Sequence, residues 1–251
     1  MGKAQNTVDA LNNRISTHAN FAKYEINDWI IPILDVQKHY NILDIACGNG
    51  KQLIPISKII DETGSITGLD ISQELLNEIH IYTKKNKNTI LKQGKMENID
   101  TDFEDSYFDL IFCCFGLYYS TNYKRTIKDI YNKLKNNRKC FVCGPIKGNN
   151  LELTEIHEVF GKLPREYVIH NNFIETKALP YFKSIFSEVK IEIFENPITF
   201  PNKEALLRYW KSYTLFEREV QNEFENSITD IFRKDGKFIT KKIVMGITAK
   251  K

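Results

Sequence analysis

The run Asn41-Ile-Leu-Asp-Ile-Ala-Cys-Gly-Asn-Gly-Lys51 constrains the fold of this chain more than any other. Ile42, Leu43 and Ile45 make the compact apolar run of a strand covered on both faces. Gly48 and Gly50 then let the backbone turn sharply and approach a ligand with no Cβ in the way. A helix is expected straight after, over 51–60, with its first amides directed at whatever sits above the turn. Asp70 follows twenty residues after Gly50, in Gly68-Leu-Asp-Ile71, at the tip of a second expected strand. A carboxylate there is placed to accept hydrogen bonds from both hydroxyls of a ribose. Turn and acid together point to a nucleoside-containing cofactor at the carboxyl edge of a parallel sheet.

The dinucleotide signature Gly-x-Gly-x-x-Gly is incomplete, because its third glycine falls at Leu53. Asp44-Ile-Ala-Cys-Gly-Asn-Gly50 resembles instead the first motif of class I S-adenosylmethionine-dependent methyltransferases, D/E-x-G-x-G-x-G, with Ala46 in place of the first glycine. The resemblance continues in register for about a hundred residues. Asp70 matches the family's ribose-binding acid, and Leu91–Ile99 is similar to its G-D-A-x-x-L-P segment. There Lys95 stands where the family has an aspartate that bonds adenine, and an ammonium cannot accept that bond. The resemblance therefore implies adenine recognition by backbone at Lys95 and Met96, with Met96 and Ile71 as apolar walls. Asp105–Ile111 resembles the entry to the fourth strand. Phe115-Gly-Leu-Tyr-Tyr119 is similar to the F-G-L-R-N stretch of ubiquinone and menaquinone methyltransferases.

The fold this implies is a Rossmann-like seven-stranded sheet, mostly parallel with an antiparallel edge strand and helices on both faces. The cofactor implied is S-adenosyl-L-methionine, leaving S-adenosyl-L-homocysteine. Its binding residues would be Asp44, Ala46, Gly48, Gly50, Asp70, Ile71, Lys95, Met96 and Cys114. Cys114 falls at the tip of the fourth strand, lining the pocket without doing chemistry.

At 251 residues the chain can bury a full core as a single domain. It divides into a helical lid (1–40), a cofactor-binding half (41–148), a helical insertion after the fifth strand (149–187) and closing strands and helices (188–251). The lid is expected as helices over 8–22 and 25–37, and in related enzymes such a lid folds over the cofactor. Tyr24 or Arg14 would then meet its methionine end. The insertion carries His157 and His170 among aromatic residues, a composition suited to walling off an apolar or flat substrate. It suits a small satellite core equally well. After it, 189–200 and 238–249 read as strands six and seven, with helices over 201–213 and 216–232 between them.

A net charge of +3 gives no electrostatic footprint for nucleic acid, and the lysines of 84–87 read as a solvated helix end. No apolar run approaches the ~20 residues needed to cross a bilayer. Met1–Asn6 has neither a signal-peptide core nor a myristoylation pattern, so a cytoplasmic, monomeric or homodimeric protein is expected. The five cysteines offer no metal set. Cys140 and Cys143 share a strand but point to opposite faces, and so do Cys113 and Cys114.

The reaction this implies is in-line displacement at a sulfonium methyl, with alignment supplying much of the rate. For a hydroxyl acceptor His170 or His157 could serve as base, and Tyr119 or Tyr118 could orient the acceptor through its phenol. A small metabolite or natural-product intermediate is the leading acceptor class. An RNA or protein methyltransferase is the alternative, though no N-P-P-Y-like motif follows the fourth strand. A non-catalytic binding subunit of the same fold is the third reading.

Overall fold

The computed structural model describes residues 7–251, so the reading of Met1–Asn6 lies outside the described residues. The chain begins with α1 (Val8–Phe21), α2 (Ile26–Leu34), β1 (Asn41–Ile45), α3 (Leu53–Ser57) and β2 (Ser65–Asp70). It continues through α4 (Gln73–Thr83), β3 (Thr89–Gln93), α5 (Ile99–Asp102), β4 (Phe108–Cys114), α6 (Tyr123–Lys133) and β5 (Leu134–Pro145). Then come α7 (Leu151–Phe160), α8 (Arg165–Phe173), a π-helical turn (Ile174–Ala178) and α9 (Leu179–Ile185). The chain closes with β6 (Glu188–Phe200), α10 (Lys203–Lys211), α11 (Gln221–Asp235) and β7 (Phe238–Lys250).

The strands form one sheet in the order β3-β2-β1-β4-β5-β7-β6, mostly parallel with an antiparallel edge, as expected. β1 pairs in parallel with β2 on one side and β4 on the other, so the strand order reverses between β1 and β4. A reversal of this kind opens a crevice at the carboxyl ends of the two strands.

Four of the helices start where the sequence supplies a cap. Thr7, Ser72, Asn122 and Asn202 each accept a hydrogen bond from an amide three residues on, at the heads of α1, α4, α6 and α10. Gly236, at φ 68°, ends α11 in the left-handed conformation that glycine adopts freely. Several boundaries differ from expectation, among them the start of α11 at Gln221 and not at residue 216. α3 holds only five residues, and Pro55 inside it has no N–H to give to the ladder. α2 ends at Leu34 and not at residue 37, after carrying Pro32 inside it. β5 begins at Leu134, five residues before Lys139, where the fifth strand is expected to run to Gly144, because Leu134 pairs with Phe108 across an irregularity before the regular register resumes at Leu110 and Lys139.

The described residues group into two compact units. The first takes Ile26–Gly144, Phe173–Ile193 and Met245–Lys251. Its centre is β1 and β4, whose Ile42, Leu43, Ile45, Leu110, Ile111 and Phe112 are fully buried. α3 and α4 pack on β2, and α4 also packs on β3. Below the sheet the Asp109 carboxylate accepts from the Asn41 amide at 3.0 Å and pairs with Lys135 at 2.7 Å and Arg138 at 3.1 Å. Trp29 packs edge-on against Phe141 at 5.9 Å, as an amphipathic helix on a sheet should.

The second unit takes the chain up to Glu25, Pro145–Asn172 and Phe194–Val244. Trp210 stacks on Phe224 at 3.9 Å in its core, with Leu153, Leu206, Phe200 and Ile228 around them. The insertion after β5 is helical, and within this unit several of its polar groups are hydrogen-bonded internally. Asn149 donates to the Tyr213 hydroxyl at 2.7 Å and to Asn171 at 3.0 Å, while Asn150 donates to the Tyr209 hydroxyl at 2.9 Å. Tyr24 is half exposed, and its backbone is held at both N–H and C=O by the buried Asn196 side chain.

His170 is buried in this unit, and burial followed by the nearby Arg14 charge lowers its pKa to about 4. An imidazole titrating near 6.5 in the unfolded chain and near 4 in the folded one binds its proton preferentially when unfolded. Stability is therefore complete above pH 6.5 and drains away as the pH falls toward 4. Denaturant titrations at pH 7.5 and pH 5 should show the wild type losing on the order of 2 kcal/mol more than His170→Asn. Equal losses would exclude His170 as the acid-sensitive group.

Candidate active site

The site begins at the tip of β1. Ala46, the residue after the strand, has φ 57°, a left-handed conformation costly for any residue with a Cβ. Gly48 and Gly50 follow at φ 57° and 80°. At Gly50 an added Cβ would sit 2.9 Å from the Ile79 side chain, so the turn is seated directly on α4. The turn is closed by hydrogen bonds from the Gly50 amide to the Cys47 carbonyl at 2.9 Å and from the Cys47 amide to the Leu69 carbonyl at 3.1 Å.

Asp70 joins this turn to β2. One carboxylate oxygen accepts from the Gly48 amide at 2.8 Å and the other from the Ser72 amide at 2.9 Å. Each oxygen keeps one further lone-pair direction for a ligand hydroxyl. The expected pull of a helix terminus on a ligand is absent, since α3 is one short turn long. What the turn offers a ligand instead is loop amides and the two acids, Asp44 and Asp70.

Asp44 is buried, and its Oδ2 has no hydrogen-bond partner within the protein. Burial, and then the charge of Asp70, push its carboxyl well above the usual carboxylate range. A cation beside Oδ2 would offset both effects and favour the ionised form.

The Gly94 amide donates to the Asp70 carbonyl at 2.9 Å, which brings the turn with Lys95 and Met96 alongside the β2 tip. Met96 is half-buried in a single 3-10 turn (Met96–Asn98), Ile71 is 66% exposed, and the Lys95 side chain is exposed. Across the crevice, Phe115 follows β4 at φ 59°, a second left-handed non-glycine residue. Such strain persists only where its surroundings enforce it, and it gathers at functional sites. Gly116 is required by close approach, because a Cβ there would lie 2.6 Å from the Ala46 Cβ. The turns after β1 and β4 thus touch. Cys114 lies at the β4 tip opposite Cys143 in register, and burial followed by a hydrogen bond with Cys143 raises its thiol pKa well above the ordinary value. A thiol held protonated in this way is a poor nucleophile.

Asp44, Ala46, Gly48, Gly50, Asp70, Ile71, Lys95, Met96, Cys114 and Tyr119 all belong to the first unit, while Tyr24 and His170 belong to the second. A 3-10 turn (Leu117–Tyr119) carries Tyr118 and Tyr119 just past β4, with Tyr119 41% exposed. Tyr118 meets the Phe173 ring at 6.5 Å, and Phe173 in turn meets Tyr123 at 5.3 Å. Tyr181 adds a fourth ring, 6.4 Å from Tyr123. Sequence reading placed Phe173 and Tyr181 in the insertion but gave no reason to join them to Tyr118. Their partners lie some fifty residues away, beyond any periodicity. The π-helical turn that follows Phe173 is the local mark of such a place.

Comparisons with known proteins agree with this geometry. Residues 42–137 match the family model described as a methyltransferase domain. A demethylmenaquinone methyltransferase of Staphylococcus aureus is 29% identical over 219 residues, spanning 85% of this chain and 82% of the relative. The YcgJ protein of Bacillus subtilis has the same fold with a TM-score of 0.63 at 14% identity, over 89% of this chain and 97% of that one. A SAM-dependent methyltransferase from Aquifex aeolicus gives a TM-score of 0.54 at 14% identity, over 73% of this chain and 88% of that one. Motif, strand order and relatives define one class of enzyme. Residues 42–137 match a methyltransferase domain, and with the relative and the fold they support a class I S-adenosylmethionine-dependent methyltransferase, a class that implies S-adenosylmethionine as cofactor.

The residues present fit such a group. An unpartnered buried carboxylate oxygen suits a cationic ligand, a second carboxylate suits a diol, and the glycine turn leaves room for close approach. Among the described residues no cluster of His, Cys, Asp or Glu could hold a metal. No described helix is long and apolar enough to cross a membrane.

Two substitutions test the turn. Asp70→Ala should weaken S-adenosylhomocysteine binding at least tenfold by calorimetry, ~1.4 kcal/mol, and unchanged affinity would remove Asp70 from the site. Ala46→Gly restores the family glycine and relieves the left-handed strain. It should raise unfolding stability by about 0.5–1 kcal/mol with cofactor affinity retained, and a destabilised variant would show that the Ala46 methyl contact outweighs the strain.

Proposed function

We propose that the protein transfers a methyl group from S-adenosylmethionine to a small-molecule acceptor that presents a planar ring. The observation that carries this reading is the ring cluster of Tyr118, Phe173, Tyr123 and Tyr181 beside the carboxyl end of β4. The demethylmenaquinone methyltransferase relative supports a flat, ring-bearing acceptor of the quinol kind.

When bound, S-adenosylmethionine supplies a methyl already activated on a cationic sulfur, with a neutral thioether as leaving group. The protein's task is therefore binding and alignment. Asp70 would hold the ribose hydroxyls and Asp44 a cationic end, while Gly48 and Gly50 leave the approach open. Ile71 and Met96 would cover the adenine, with the backbone at Lys95 giving its polar contact. Cys114 would line the pocket. The Tyr118 ring, backed by the buried Phe173, would stack an aromatic acceptor, edge-to-face or offset, at ~1 kcal/mol per ring pair beyond burial. The Tyr119 phenol would orient the acceptor oxygen or nitrogen.

His170 is the weaker candidate for a base. A histidine held near pKa 4 is neutral at pH 7 but has little drive to take a proton.

The test is transfer of label from methyl-tritiated S-adenosylmethionine to a panel of hydroquinones, catechols and aromatic amines. Label is expected in the small-molecule fraction. Tyr118→Ala should lower kcat/KM for the best acceptor by about tenfold, with S-adenosylhomocysteine affinity changed less than threefold. Label appearing only in added RNA or protein would overturn the small-molecule reading.

A further inference from the structure

Glu97 stands between the two halves of the site. It belongs to the turn that carries Lys95 and Met96, and it reaches across to the turn that carries Tyr118 and Tyr119. Its Oε1 accepts three hydrogen bonds there, from the Thr121 amide at 2.7 Å and from the Ser120 and Thr121 hydroxyls at 3.1 Å each. Ser120 is fixed in turn, since its Oγ pairs with the Thr126 hydroxyl at 2.9 Å and accepts the Asn122 amide at 3.2 Å. The other end of the first turn is tied down through the Gly94 amide on the Asp70 carbonyl. A continuous line of hydrogen bonds therefore runs from the ribose acid, through the turn at 94–98, to the residue directly after Tyr119.

We propose that Glu97 is a positioning residue that couples occupancy of the adenosine side to the placement of Tyr118 and Tyr119 on the acceptor side. This rests on the cofactor reading above. One carboxylate oxygen gathering three donors is a rigid link, and two turns joined by it can settle only together. Burial works to raise the Glu97 carboxyl, yet the Thr121 and Ser120 donors outweigh it and leave it below the usual range. The link is thus charge-assisted at neutral pH.

Hydrogen exchange with and without S-adenosylhomocysteine, paired with calorimetry, tests the coupling. In the wild type the ligand should slow exchange both at 94–99 and at 117–122. In Glu97→Ala it should slow exchange at 94–99 alone, with affinity reduced about tenfold. Glu97→Gln keeps an acceptor oxygen at the same place and should restore protection at 117–122, with affinity within about threefold of the wild type. Where Glu97→Ala fails to fold, a Ser120→Ala, Thr121→Val variant removes two of the three donors from the far side. It should lose most of the protection at 117–122. Protection at 117–122 undiminished in Glu97→Ala, or in that double variant, would overturn the coupling while leaving the cofactor site intact. No binding of S-adenosylhomocysteine to the wild type would instead overturn the cofactor reading, and the coupling with it.

Discussion

The two hydrogen bonds that Asp70 accepts from Gly48 and Ser72 hold the site in shape. A glycine turn after β1 has many conformations open to it, and a buried carboxylate at the β2 tip selects one of them. The same carboxylate sits at the head of α4, whose cap is the Ser72 hydroxyl two residues on. One side chain thus fixes the turn, the strand end and the helix start, and it keeps lone pairs free on the ligand side. Removing it would leave the Gly48 amide without its partner.

Strain and charge at the crevice have the same origin. Ala46 and Phe115, at the ends of neighbouring strands, both adopt the left-handed conformation, and the turns they begin touch at Gly116. Such backbone is stable only because the sheet beneath is rigid, with β1 and β4 buried along nearly their whole length. Into the gap the strands deliver two acids, Asp44 and Asp70. Asp44 is buried with an unpartnered oxygen and a raised pKa, a state that costs free energy until a cation arrives. The crevice is therefore electrostatically suited to a ligand that carries positive charge.

Much of this was legible in the sequence because the signals are local. Strand, acid and glycine turn lie within eleven residues, and Asp70 lies at the tip of the next strand. Caps at Ser72, Asn122 and Asn202 are equally local. Reading failed where one residue changed the balance, as with Pro55, which cut the expected helix to five residues. It failed also at 134–138, whose polar composition suggests a loop although Leu134 pairs with Phe108. A parallel neighbour can supply backbone partners to residues with no strand propensity of their own.

By itself the sequence determined the class of fold, the sheet's contents and the acids that face the crevice, because periodicity and turn chemistry act over a few residues. Only the tertiary structure decided which distant groups meet. Glu97 with Ser120 and Thr121, and Phe173 with Tyr118 and Tyr123, are separated by 23 to 55 residues. It also decided that Asp44 is buried without a partner and that Lys95 faces solvent. Burial and long-range pairing depend on how strands and helices stack. That stacking is set by the sum of many weak contacts, which no short window of sequence contains.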